Sequence, residues 1–392
     1  MTRAGGSTRH TAKTRDGWWY AGALALRATT LAATLAATVA WARVSGADRT
    51  RDWLTLWDAQ WYARIATFGY PRDILVAPNG DLILGHEFAF FPLFPGLAHL
   101  LHVATGCRAA TACLAVALVA SLALGPVTYA VARGEGLPQP VALVAVGLLA
   151  TVPMPVVLTL GYAEPLFLLL SLLALLSAQR RRWGFVGLTL VAASLTRPSG
   201  LVTAAGVVAY ALVHWRRRCG TAREVAAILA AGVAGVAGVV AFWAYVARRS
   251  GRLAGWFEVQ DAGWRTHLDG GASTWEFVHR LLVVHDLPLT AALPTAAILV
   301  VAVGLVGLTL VRGHLRPYAA WLLLGFLTTV GSSNFWYSKP RLLLVMAVAV
   351  VPVAVAARRL LATRPGLLLV AVLALAQLGF GLYLALSWPY AI

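Results

Sequence analysis

The sequence predicts an all-α polytopic membrane protein with about eleven transmembrane helices and two long loops on one face. Three observations predict it. Of 392 residues, 60% are hydrophobic and only 12% charged, with a mean hydropathy of +0.76; a soluble domain carries about 25% charged residues. Apolar runs near the length of a bilayer span recur along the chain. Short arginine clusters separate them: RRR at 180–182, RRR at 216–218 and RR at 358–359. In a soluble protein a net charge of +17 would suggest nucleic acid. Placed at span ends it is the positive-inside pattern instead, and no nucleic-acid partner is expected. Cys107, Cys113 and Cys219 form neither a CxxC pair nor a metal spacing.

The basic stretch 1–18 reads as a cytoplasmic tail. The apolar run at about 19–43 lacks a convincing small-residue cleavage site, so it reads as a retained first helix. A polar, aromatic loop fills 45–87. The next segment, EFAFFPLFPGLAHLLHVATG, is apolar but contains Pro92, Pro95, His99 and His102. Prolines interrupt helices, so 88–104 is expected to lie in the membrane interface. Apolar runs follow at about 110–132, 139–160, 162–178, 184–198, 200–214, 224–247, 287–311, 317–331, 341–357 and 366–387. With 88–104 interfacial, every strong arginine cluster falls on the side of the N-terminal tail. The N-terminus is then cytoplasmic and the C-terminus external. The expected organisation is a tail 1–18, a module 19–247, a second external loop 248–286 and C-terminal helices 287–392.

This orientation leaves only Asp16, Glu135 and Glu224, of fifteen acids, on the inner side. Acidic residues count little in the orientation rule, so the asymmetry is not built into it. A surplus of carboxylates on one face suggests a site there; the plainer cause is that long loops carry polar residues. Both long loops are rich in Trp, Phe and Tyr, which disfavours disorder. They are expected to fold back as short interfacial helices.

The first loop contains LWDAQWYARIATFGYP at 56–71. On a helix, Trp57, Trp61 and Ile65 share one stripe, with Asp58 and Tyr62 beside it. Tryptophans anchor a helix at headgroup level. That would hold the Asp58 carboxylate at a fixed depth, facing an outer cavity. Carboxylates near apolar surface gain proton affinity, which suits a general base. A surface or capping acid in an aromatic belt is the ordinary alternative.

The longer pattern resembles the PIG-V-like mannosyltransferases of the GT-C superfamily of membrane glycosyltransferases. WDAQWYARIATFGYP and EFAFFPLFPGL, at 57–71 and 87–97, carry the resemblance most specifically. GYAEPLFLLLSLLAL at 161–175, SLTRPSGL at 194–201, VQDAGW at 259–264 and SKPRLLL at 338–344 follow in the family's order. The similarity runs from about 20 to 390, and the composition suggests a bacterial member. It implies a GT-C fold whose large first external loop carries a catalytic aspartate, here Asp58. It implies a polyprenyl- or dolichyl-phosphate-linked mannose donor. It also implies inverting transfer to an acceptor hydroxyl on the outer face of the cell membrane.

Such a reaction needs a base for the incoming hydroxyl, assigned to Asp58, and cations for the leaving phosphate. Arg197, Lys339 and Arg341 are the candidates; cations at helix ends that merely reach the interface are the alternative for the last two. Arg197 lies in an apolar hairpin and needs a partner or a wet cavity. Glu164 is either that partner or a contact to the sugar. Glu87 opens its segment, as a cap or as a second acid of the site. Gln260 and Trp264, four residues apart, are placed to offer an amide and a ring to an acceptor, and Trp57, Trp61 and Tyr62 to support the site. No DxD-type pair flanks Asp58, so a divalent metal, which some members of the superfamily use, is possible but not implied; the lipid-linked donor enters as substrate. The acceptor, a glycan, glycolipid or protein, does not carry over from the eukaryotic family. The rival readings are a transferase of another sugar such as arabinose, a lipid or sugar transporter, and a non-catalytic scaffold.

Overall fold

The computed structural model describes residues 7–44, 56–77 and 82–390. The start of the tail and parts of the first outer loop therefore lie outside the described residues. The fold is all-α and polytopic, as expected. The helices are α1 (Ser7–Val44), α2 (Asp58–Phe68), α3 (Leu93–Thr105), α4 (Ala109–Gly134), α5 (Gln139–Gly147), α6 (Glu164–Gln179), α7 (Trp183–Ser194), α8 (Gly200–Arg217) and α9 (Ala222–Ser250). After these come α10 (Gly255–Trp264), α11 (Ala272–His279), α12 (Leu289–Val311), α13 (Ala319–Val330), α14 (Lys339–Leu342), α15 (Val350–Ala356), α16 (Arg358–Leu361) and α17 (Arg364–Leu382). One antiparallel ribbon in the first loop, β1 (Leu75–Val76) with β2 (Leu82–Leu84), pairs Leu75 with Leu84 and Val76 with Leu82.

Among the described residues, six segments are long and apolar enough to cross a membrane: Gly17–Val44, Ala109–Gly134, Ala222–Ser250, Leu289–Val311, Trp336–Ala356 and Arg364–Ser387. The other expected spans are shorter or broken. The run at 139–160 is helical only through Gly147, then passes through 3-10 turns at Leu148–Ala150 and Pro155–Thr159. Pro153 and Pro155 bracket the break, and Met154 between them has φ 52°. Irregular backbone at membrane depth survives only inside protein, and Met154 through Leu168 are all buried. α3 is 13 residues long, or about 20 Å, too short for a ~30 Å hydrocarbon core. It buries Phe94, Pro95 and Ala98 but exposes Leu100 and Val103, the pattern of a segment lying along a surface.

The helix ends sort onto two faces. Glu135, after α4, accepts hydrogen bonds from Gln179 at the end of α6 (2.8 Å) and Tyr210 of α8 (2.6 Å). The arginine clusters 180–182 and 216–218 sit at this end. At the other end, the start of α6, the α7–α8 turn and the start of α14 converge beneath the two long loops. Close packing needs small residues where helix backbones meet. A side chain at Gly125 of α4 would lie 2.6 Å from the Ala23 carbonyl oxygen, and one at Gly206 of α8 would lie 2.5 Å from Trp321.

The two long loops share one buried aromatic cluster with α3, α4, α6 and α9. Tyr62 and Ile65 of α2, Phe88 to Phe91, Phe94, and Trp256 and Val259 of α10 form one buried cluster. The second loop is also stitched to the chain before α14. Leu268 bridges Ser332, the Ser333 amide donates to the His267 carbonyl (2.8 Å), and Thr274 Oγ1 donates to the Val330 carbonyl (2.7 Å). Leu268, Trp275 and Leu282 stay exposed, which suits helices lying on an interface.

Candidate active site

Asp58 is the first residue of α2. Trp57 stands just before the helix with φ 50°, so the expected helical stripe of Trp57, Trp61 and Ile65 is corrected: Trp57 lies outside it. Its indole nitrogen instead donates to the Ala385 carbonyl (3.4 Å), tying the start of α2 to the C-terminal span. Tyr62 and Ile65 face inward and hold α2 against α3.

Arg341 reaches Asp58 from α14. Its Nη2 donates to Asp58 Oδ2, and its Nε donates to Glu164 Oε1 at 2.6 Å. Glu164 opens α6, and the same Oε1 lies 2.5 Å from Arg197 Nη1. The Arg341 guanidinium carbon sits 4.6 Å from the centre of the Tyr162 ring. The Tyr162 hydroxyl in turn donates to the Leu56 carbonyl (3.3 Å). Residues separated by up to 283 positions thus form one chain of charges, Asp58–Arg341–Glu164–Arg197.

Local sequence explains each placement. Pro165 sits in the first turn of α6, where its missing N–H costs nothing. Arg197 rides the tight α7–α8 turn, closed by Gly200 N–H to Arg197 O (3.0 Å). A side chain at Gly200 would lie 2.4 Å from Ser194 Cα, so this turn requires glycine. The Leu93 amide donates to the Leu195 carbonyl (2.9 Å), fastening the turn to the start of α3. Pro340 helps start α14, and Leu343–Ala349 continues it as a 3-10 run in the most buried of the six spans.

The cluster is graded in exposure: Glu164 and Arg341 side chains are 3% and 7% exposed, Arg197 and Asp58 16% and 18%. Glu164 Oε2 is buried with no hydrogen-bond partner among the described residues. Glu164 also helps to line a cavity of about 10 Å³ with Phe167, Leu168, Arg197, Ser199 and Arg341, among others.

The remaining expected residues fall elsewhere. Lys339 is fully buried, and its ammonium donates to the carbonyls of Thr329 (3.3 Å) and Ser332 (2.9 Å) and to Asn334 Oδ1 (3.4 Å). It braces the loop before α14 and does not join the charge chain. Glu87 does not cap its segment; it is buried and paired with Arg64 Nε at 2.5 Å. The Gln260 amide donates to the Ala89 carbonyl (3.2 Å), binding α10 to the first loop. Trp264 packs edge-on against Trp61, Phe90 and His86. His86 is the residue that sequence reading passed over. It stacks on Trp61 at 4.7 Å and 10°, and burial, aided by Arg64 and opposed by Glu87, lowers its imidazole below the ordinary 6.5. A lone histidine in a loop gives no periodic signal that would have marked it. Among the described residues, no three His, Cys, Asp or Glu side chains group to hold a metal.

No family model and no curated protein matches the chain. The solved structures it resembles include two of an oligosaccharyltransferase from Archaeoglobus fulgidus. One is a complex with zinc and sulfate, at 15% identity, 86% of this chain, 48% of that one and a TM-score of 0.39. The other is tethered to an acceptor peptide containing an NVT sequon, at 14% identity, 86% and 49% coverage and the same TM-score. The chain spans about half the length of these proteins, and likeness at this level transfers no activity to it. What fold and site define together is an all-helical, multi-span membrane protein with a buried acid–arginine chain beneath its loop-bearing face.

Proposed function

We propose that the chain is a GT-C membrane glycosyltransferase. It moves a sugar, mannose by family resemblance, from a polyprenyl-phosphate donor to an acceptor hydroxyl on the extracytoplasmic face. One observation carries the reading. Four segments on which the family resemblance rests, separated by most of the chain, meet in one cluster through Asp58, Glu164, Arg197 and Arg341. A fold held together by packing alone has no need for four charges at a single helix-end junction; intramembrane charges mark substrate pathways.

In this reading Asp58, at the open rim, accepts the proton of the acceptor hydroxyl. The hydroxyl oxygen attacks the anomeric carbon from the face opposite the phosphate. The bond from that carbon to the phosphate oxygen breaks, and its electron pair leaves with the phosphate. Arg341 and Arg197 face that growing charge as planar, permanently ionised donors. Glu164 aims both guanidinium groups, holding Arg341 through Nε while its Nη2 faces Asp58. Lys339 contributes by bracing the loop that precedes Arg341. A transferase of another sugar, such as arabinose, would use the same steps.

The test is release of free polyprenyl phosphate from radiolabelled polyprenyl-phosphate-mannose by purified protein in nanodiscs, with a glycan and lipid extract as acceptor. Wild type should transfer, and folded Asp58→Asn should lose at least ~100-fold, the usual weight of a general base. Equal transfer by both would remove Asp58 from this role.

A further inference from the structure

The charge chain is balanced: Asp58 and Glu164 stand against Arg341 and Arg197. Its two acids are not equivalent. Glu164 is buried and gripped by both arginines. Asp58 sits at the rim, at the first position of an 11-residue helix, and meets the chain through Arg341. A phosphodiester entering this site brings a third anion to two cations. In a dry, partly buried site an uncompensated charge is strongly unfavourable. One acid has to give up its arginine, and only Asp58 is placed to do so.

We propose that Asp58 holds the place on Arg341 that the donor phosphate takes, so that Arg341 exchanges one anion for the other in each cycle. The inference rests on the lipid-phosphate donor reading above and adds a feature of its own, a competition between base and leaving group for one cation. The bookkeeping of the step supports it. The acceptor proton moves to Asp58 and neutralises it. The bond between the anomeric carbon and the phosphate oxygen breaks, and the phosphate gains the charge that Asp58 has lost. Net charge in the site is unchanged, and Arg341, moved to the phosphate when the donor bound, stands where the new charge develops. Before donor arrives, Asp58 Oδ2 is occupied by Arg341, so the base is released only when a phosphate is present.

The exchange makes an unusual demand: the variant that cannot catalyse should bind the leaving group better. Binding of polyprenyl phosphate is measured in nanodiscs for the full chain as wild type, Asp58→Asn and Asp58→Ala, with thermal unfolding to confirm the fold. Both variants are expected to bind about tenfold more tightly, the scale of one charge-assisted hydrogen bond returned to the ligand. The gain should vanish in Asp58→Asn combined with Arg341→Gln. Unchanged or weaker binding by folded single variants overturns the exchange, even if wild type transfers sugar. Absence of both transfer and polyprenyl phosphate binding in wild type overturns the donor reading and the exchange together. A measurement on wild type alone guards against misfolded variants. Saturating polyprenyl phosphate should speed amide hydrogen exchange over 57–62, where α2 loses its tie to Arg341, and unaltered exchange there counts against the proposal.

Discussion

Glu164 is the residue on which the site turns, because one carboxylate oxygen orients two guanidinium groups. Removing its charge in Glu164→Gln leaves two cations buried beside one acid. The expected cost is about 3–5 kcal/mol of stability, the range for breaking a buried pair from one side, read as a lowered unfolding midpoint in detergent. Arg341→Lys should fold yet transfer at least ~10-fold more slowly, because an ammonium is a single point and cannot fork between Asp58 and Glu164; wild-type rates would show that the fork is dispensable. These residues were legible in the sequence for a physical reason. A charge is costly in a chain this apolar, so each ionisable residue near a span marks itself. Lys339 was marked out the same way, as a candidate for the donor phosphate, but its place bracing the loop before α14 was not. Its acceptors are two backbone carbonyls and an asparagine, and carbonyls carry no sequence signal.

At the scale of elements, short connections decide the site. The α7–α8 turn that carries Arg197 closes only with glycine at position 200. Gly200→Ala should therefore displace Arg197 and lower transfer by ~10-fold or more, since small misplacements near reacting groups are costly, whereas Gly304→Ala, with open space at its Cβ, should change nothing measurable. The second loop and the start of α14 form another such unit. Asp269 accepts the amides of Gly271 (2.8 Å) and Ser273 (2.8 Å). Burial pushes its carboxyl up, but hydrogen bonds from Ser273 and Gly271 outweigh this and hold it below 3.8. A depressed carboxyl stabilises the folded loop above its unfolded value and loses that contribution as pH falls through the folded value. Hydrogen exchange over 268–275 should therefore be unaffected by pH near neutrality and accelerate, once corrected for intrinsic rates, only below about pH 3.8. A rise in corrected exchange between pH 7 and 5 would assign the loop's stability to another group. None of this stitching was visible in the sequence, because hydropathy reads spans and is silent on loops that meet each other.

At the scale of the whole molecule, the arginine clusters and the charge chain lie at opposite ends of the bundle, which predicts a testable sidedness. Cys219 is exposed beside the cluster at 216–218. In sealed vesicles of known orientation it should react with a membrane-impermeant maleimide from the cytoplasmic side only, and a cysteine placed at the exposed His267 from the outside only. Labelling of both from one side would remove the two-loop topology. The sequence by itself determined that the chain is a multi-span helical protein, where its apolar runs fall, and which few charged residues need an explanation. It could do so because burial of apolar length and the cost of a lone charge are local properties. Only the tertiary structure decided that the run at 139–160 breaks, that Lys339 braces a loop, and that Arg341 spans from Asp58 to Glu164. Those outcomes depend on which helix ends meet, and that is settled by packing between segments hundreds of residues apart.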